Sequence, residues 1–234
     1  ESACRNAGRD PAEVTLLLAT KTIPADRLPE AVRAGQMRFG ENRIQEGLAK
    51  SVQLANAHPD LAAGVRWEMI GHLQTNKINQ ALRFVSAIQS VDRLRLVNRL
   101  QARLERDRRT IDVHVQVNTS REQSKYGVAP EAAEKLIEAV QLASGLNLVG
   151  LMTIGRLGST TDAARPDFAR LRQLRDRLLE RGLLQPDQAG LSMGMSGDLE
   201  VAIEEGATLI RVGTAVFGQR PTPDSYYWPG SQNS

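Results

Sequence analysis

V-T-L-L-L-A-T-K-T, residues 14–22, is an apolar run that stops at Lys21, with Pro24 just beyond it. A short run of Val, Leu and Thr, too brief for a helix, reads as a parallel strand buried on both faces, and the proline closes it. Lys21 then stands at the C-terminal end of a strand. Lysine occurs only at 21, 50, 77, 125 and 135, while arginine supplies the remaining positive charge. An amine desolvated at a strand mouth can lose its proton and attack a carbonyl, which a guanidinium cannot do. The alternative is a strand-end lysine that reaches back to water.

From residue 14 onward the same unit repeats. Residues 24–34 place Leu28, Ala31 and Val32 on one helical face and end at Gly35. Residues 38–41 make a second strand, 42–55 a helix with Ile44, Leu48 and Val52 in register, 66–71 a third strand and 72–82 a helix. Strand four falls at 84–91, and Asp92 opens a helix whose Val97, Leu100 and Leu104 share one side. Residues 112–118, D-V-H-V-Q-V-N, alternate cleanly, and Pro130 starts a helix that turns Ala133, Leu136, Ile137 and Val140 inward. Strand six (146–154), a helix (167–181), strand seven (190–195), a helix (198–205) and strand eight (209–213) follow, and residues 1–8 are the last turns of a preceding helix. Eight units in continuous alternation, with no Pro/Gly/Ser linker, predict a single (β/α)8 TIM barrel over residues 1–220 and a surface tail at 221–234. An open doubly wound sheet uses fewer units and a topological switch point.

Aromatic residues are 4% of the chain, so aliphatic side chains must fill the core. The net charge of +3 is dispersed, and its densest cluster, R-L-E-R-D-R-R at 103–109, ends a helical pattern, which argues against a nucleic-acid partner. Cys4 is the single cysteine, so an intramolecular disulfide is excluded and a reducing, cytoplasmic setting fits. No apolar run approaches the roughly 18 residues of a membrane span. With no large apolar face evident, a monomer is expected.

A barrel of this type carries its site at the C-terminal mouth of the strands, with phosphate held after strands seven and eight. That rule selects Lys21, Asn42, His72, Asn118, Met152 and Thr153, Ser196, and then Arg211, Gly213 and Thr214, in strand order. Ser196 opens a helix and can cap N–H groups or help them hold an anion. Gly213 either serves a turn or lets a ligand approach the backbone. Two phosphate-competent ends side by side, opposite an amine on strand one, describe a site for a molecule with both a phosphate and an aldehyde. Arg211 has donors only, so a ring nitrogen facing it must be an unprotonated acceptor; were the ligand pyridoxal phosphate, its pyridine would be a weak electron sink. A salt bridge from Arg211 to an inward Glu is the alternative. Lys125, in the loop after strand five, is a second amine near the mouth or a solvated loop lysine. Glu41 and Glu68 show no partner at paired-carboxylate spacing, and no metal-ligand cluster is evident.

The stretches L-L-L-A-T-K-T, F-G-E-N-R-I-Q-E (39–46), W-E-M-I-G-H-L-Q-T-N-K (67–77), V-Q-V-N-T-S-R-E-Q-S-K-Y-G (115–127), G-L-M-T-I (150–154), L-S-M-G-M-S-G-D (191–198) and I-R-V-G-T-A-V-F-G (210–218) together resemble the pyridoxal phosphate homeostasis protein family. The resemblance implies a barrel like the N-terminal domain of alanine racemase, binding pyridoxal 5′-phosphate. By matching motif positions it implies Lys21 as the Schiff-base lysine, Arg211 facing the pyridine nitrogen, and Ser196, Gly213 and Thr214 as the phosphate cradle. Asn42, His72 and Met193 match positions around the cofactor. The implied role is vitamin B6 balance and amino-acid metabolism, by storing the cofactor or delivering it to apo-enzymes, without a settled catalytic activity. The enzyme alternatives are an amino-acid racemase, whose chemistry in the related fold takes a second base from an added β domain, and a cofactor-free aldolase acting through Lys21. Thr20 stands where the family commonly has Ser, and the hydroxyl is kept.

Overall fold

Short apolar and alternating runs become strands, and the amphipathic segments between them become helices, in the order the sequence sets out. The computed structural model describes residues 1–156 and 161–218, and the expected tail at 221–234 lies outside them. Among the described residues the strands are β1 (Thr15–Ala19), β2 (Arg38–Glu41), β3 (Arg66–Met69), β4 (Ala87–Val91), β5 (Ile111–Gln116), β6 (Leu146–Met152), β7 (Gly190–Ser192) and β8 (Leu209–Val212). All pair in parallel in sequence order, and β8 returns to β1 from Thr15↔Leu209 to Leu18↔Val212, closing the barrel. The expected (β/α)8 barrel is the observed fold.

The helices are α1 (Ser2–Asn6), α2 (Leu28–Arg33), α3 (Ile44–Ala57), α4 (Pro59–Ala62), α5 (Ile78–Ala81), α6 (Leu94–Asp107), α7 (Ala133–Leu142), α8 (Arg165–Glu180), α9 (Leu199–Glu204) and α10 (Thr214–Phe217). Their apolar stripes face the strands, except that Val52 of α3, expected in register with Ile44 and Leu48, is exposed, and α3 buries Ile44, Gly47, Lys50 and Leu54 instead. Leu96, Val97, Leu100 and Leu104 of α6, Leu136, Ile137 and Val140 of α7, and Phe168, Leu171 and Leu174 of α8 form one cluster with Val113, Val115 and Leu151. A second cluster holds Leu18, Leu28, Val32, Leu54 and the Phe39–Trp67 ring pair, 5.6 Å between centroids. Each such side chain contributes about 1.5–3 kcal/mol by leaving water.

The barrel interior also carries a polar path. Arg38 Nε donates to Glu68 Oε1 (2.7 Å) and Gln89 Nε2 to Glu68 Oε2 (2.6 Å). Ser192 Oγ donates to Gln89 Oε1 (2.7 Å), and Arg211 Nη1 to Ser192 Oγ (2.6 Å). Five strands thus meet through one hydrogen-bonded chain, and satisfied buried networks of this kind fix one arrangement of a core.

Three expected helices are shorter than their patterns, and the one expected from Pro130 opens with a 3-10 turn, Pro130–Ala132, before α7. The segment 24–34 begins with a 3-10 turn, Ala25–Arg27, and α2 starts only at Leu28 because Pro29 fits a first turn and no later one. Residues 72–82 yield a 3-10 turn at Thr75–Lys77 and then α5, so His72 lies in the loop after β3, before any helix. Six strands, β1, β3, β5, β6, β7 and β8, stop earlier at their C-terminal ends, where the chain turns to build the mouth, while β2 and β4 end where expected and β4 begins later, at Ala87.

Candidate functional site

The carboxyl ends of β1, β7 and β8 lie side by side, since β8 pairs with both β7 and β1. Lys21 follows β1 and is 8% exposed, the amine-bearing residue sunk among packed strand ends. The next residue, Thr22, has φ +68°, and a β-branched residue there costs about 1–3 kcal/mol. Neighbouring groups hold this turn. Thr22 N donates to Glu46 Oε1 (2.6 Å), Thr22 Oγ1 to Lys21 O (2.5 Å), and Ile23 N to Thr20 O (2.9 Å). Beneath it Glu41 Oε1 accepts from Thr20 Oγ1 (2.7 Å) and from Lys50 Nζ (2.8 Å). Burial pushes the Glu41 carboxyl up to about 7, while Lys50 pulls it back.

Arg211, inside β8, is 4% exposed. Nη1 donates to Ser192 and Nη2 to Thr153 O (2.7 Å), so its guanidinium is aimed by strands six and seven. The expected alternative, a salt bridge to an inward Glu, is not what holds it. Glu68 is linked to Arg211 by hydrogen bonds only through Gln89 and Ser192. Burial pushes the guanidinium down to about 10, and the Asp198 and Glu68 charges raise it.

Ser196, after β7, accepts at Oγ from the backbone N–H groups of Gly213 (3.3 Å) and Ala215 (3.2 Å). It therefore sits at the start of α10, on the neighbouring unit, instead of capping its own helix α9. Thr214 is the first residue of that same turn. A Cβ on Gly213 would stand 3.0 Å from Ala19 O, so glycine at this position lets β1 and β8 approach each other. Asp198 Oδ1 closes the intervening turn by accepting from Met195 N (2.6 Å). Burial pushes its carboxyl up, while the Met195 N–H and then the Arg211 and Lys125 charges act against that.

The chain after β3 passes close to the chain after β2, where a Cβ on Gly71, next to His72, would meet Asn42 O at 2.4 Å. His72 stacks on Tyr126 (centroids 3.9 Å apart, planes 16° apart), and its Nδ1 lies 3.2 Å from Asp92 Oδ2 without the alignment of a hydrogen bond. Lys125 is tied down, donating to Gly155 O (2.9 Å) and paired with Glu122 (2.5 Å). Asn118 braces that loop through Glu122 O and Lys125 O. Thr153 donates to Val117 O (2.8 Å), and Met152 and Met193 are fully buried, Met193 in the largest apolar cluster. Among the described residues no group of three or more His, Cys, Asp or Glu could hold a metal.

The donor set is specific: a buried amine, a buried donor-only guanidinium aimed by its neighbours, and a hydroxyl with backbone N–H groups. It fits a molecule that combines an aldehyde, an acceptor ring nitrogen and a phosphate. The family described as alanine racemase, N-terminal domain, matches residues 19–221. A pyridoxal phosphate homeostasis protein from Pseudomonas aeruginosa is 44% identical, over 93% of this chain and 90% of its own. The chain belongs to the pyridoxal phosphate homeostasis protein family. Within that likeness, PipY from Synechococcus elongatus, in a structure with PLP bound, has a TM-score of 0.78 at 33% identity, covering 93% of this chain and 100% of that one. Alanine racemase from Clostridium difficile has a TM-score of 0.72 at 13% identity, covering 95% of this chain and 56% of that one, and shares the fold alone.

The supports of the site were not visible as such in the sequence. The sequence carries no signal that Glu41, Lys50, Gln89 and Ser192 support the site, apart from the Glu46–Lys50 spacing of four within a helix, which signals an ion pair.

Proposed function

We propose that this chain binds pyridoxal 5′-phosphate at the barrel mouth, with Lys21 tethering it as a Schiff base, and acts in vitamin B6 balance and amino-acid metabolism as a carrier or regulator that supplies apo-enzymes. The observation that carries the reading is the buried Lys21 just after β1, set beside a β8 whose Arg211 offers donors only. The name shared by its relatives and the PLP-bound PipY structure support it. When bound, the cofactor supplies a reactive aldehyde and a ring that can withdraw electrons. Arg211 holds a ring nitrogen as an acceptor and keeps a proton off it, which weakens that withdrawal. Ser196, Gly213 and Thr214 hold the phosphate, Lys21 binds the aldehyde carbon reversibly, and Asn42, His72 and Met193 line the ring. This division of labour favours holding over turnover.

The lone, buried Cys4 supports a reducing cytoplasmic location, and among the described residues no helix is long and apolar enough to cross a membrane. Exposed apolar residues such as Val52, Leu94, Leu142 and Val216 belong to four different helices, which supports a monomer. The single barrel domain of 1–220 remains part of this reading. The decisive measurement is the visible spectrum on adding pyridoxal phosphate to the parent and to Lys21→Ala. A Schiff-base band in the parent that is lost in the variant is expected, and a parent without the band would sink the reading.

A further inference from the structure

Lys50 is the buried lysine that the site as described leaves without a role. Its side chain is 7% exposed, and it reaches from α3 to the underside of the turn that carries Lys21. Nζ donates to Thr20 O (2.5 Å), Glu41 Oε1 (2.8 Å) and Glu46 Oε1 (2.6 Å). An ammonium has three donors, and these three acceptors use them all. Glu46 Oε1 in turn accepts from Thr22 N. One ion cluster therefore grips the main chain on both sides of Lys21, at the carbonyl before it and at the N–H after it. The grip falls where the backbone is strained, at Thr22, and such conformations persist only when surrounding contacts over-determine them.

We propose that Lys50, with Glu46 and Glu41, is a positioning residue that sets the direction of the Lys21 amine toward its aldehyde. The inference rests on the Schiff-base reading of Lys21 and adds to it the groups that make the amine productive. Arginine could not replace Lys50 freely, because a compact three-donor head is what meets three acceptors from three elements at once. Relaxing the turn leaves the amine present but misdirected, and a misplacement of about 1 Å can slow bond formation by up to about 100-fold.

The test separates direction from binding. Pyridoxine 5′-phosphate carries the ring and the phosphate but an alcohol in place of the aldehyde, so its affinity reports the pocket without Lys21 bond formation. In Lys50→Met the Schiff-base band should form at least about tenfold more slowly, with pyridoxine phosphate affinity kept within about twofold. Lys50→Arg should recover only part of the rate. Should Lys50→Met fail to fold, Glu46→Ala removes the acceptor of Thr22 N–H from a partly exposed first-turn position and should show the same split. Band formation at the parent rate in a folded Lys50→Met, or in Glu46→Ala, overturns the proposal, as does an equal loss of both readouts. Persistence of the band in Lys21→Ala instead overturns the tether reading itself, and borohydride reduction with peptide mapping tells which lysine then carries the ligand.

Discussion

His114 and Glu41 are buried titratable residues that pull stability in opposite directions as pH changes. His114, on β5, is 4% exposed, its Nδ1 has no hydrogen-bond partner among the described residues, and burial, then the charges of Arg211 and Arg38, push it from its usual 6.5 down to about 3. It is therefore neutral when folded, and its contribution is present above pH 6.5 and is lost as pH falls toward 3. Glu41 behaves oppositely: raised from 4.5 to about 7, its contribution is present below pH 4.5 and is lost as pH rises through 7. Between about pH 4.5 and 6.5 each acts with a slope of roughly 1.4 kcal/mol per pH unit, and the two offset. His114→Gln should then gain stability relative to the parent on acidification through that window, and Glu41→Gln should lose it. Urea unfolding at pH 7, 6 and 5 reads both slopes, and two variants that track the parent would refute the assignment.

At the scale of elements, the barrel depends on close backbone approach between strands. Gly150 of β6 is in register with Gly190 of β7, and a Cβ on Gly150 would lie 2.2 Å from Gly190 O. Backbone cannot yield as a flexible side chain does, so Gly150→Ala should cost about 1–3 kcal/mol or more. Gly64→Ala, whose Cβ would rest 3.6 Å from Met37 Sδ, should change stability by less than about 1 kcal/mol. Thermal unfolding of both proteins checks the contrast, and equal effects would refute it. Elements with strong periodic apolar patterns were legible in the sequence, and β2 matches its expected bounds. The partial failures have physical causes. Pro29 set a late start for α2, and the polar run Gln74–Thr75–Asn76–Lys77 left α5 only its last turn. In the site, residues at strand ends were legible because the fold dictates where chemistry sits. Their supports were not: Glu41 finds Lys50 from the next helix, and Arg38 finds Glu68 from a neighbouring strand, pairings that exist only once the barrel registers are set.

At the scale of the molecule, the proposed site draws on opposite ends of the chain. Lys21 follows the first barrel strand, while Ser196, Arg211 and Thr214 lie on or just after the last two, and only the β1–β8 pairing brings them together. An unfolded or open chain cannot present the amine, the guanidinium and the hydroxyl to one ligand. Binding of pyridoxal phosphate must therefore favour the closed barrel, by RT ln(1 + [L]/Kd), about 2.7 kcal/mol at a ligand concentration of 100 Kd. For a domain of this size, with roughly 2–4 °C per kcal/mol, that is a rise in melting temperature of about 5–11 °C. Hydrogen exchange should slow together in β1 and β8, since the ligand ties one to the other across the closure. Lys21→Ala should lose part of the shift and retain the part due to Ser196 and Arg211, because the phosphate and ring contacts do not need the tether. A saturating ligand that leaves the melting temperature unchanged, or protects β1 without β8, would show that the two ends of the chain do not build a common site.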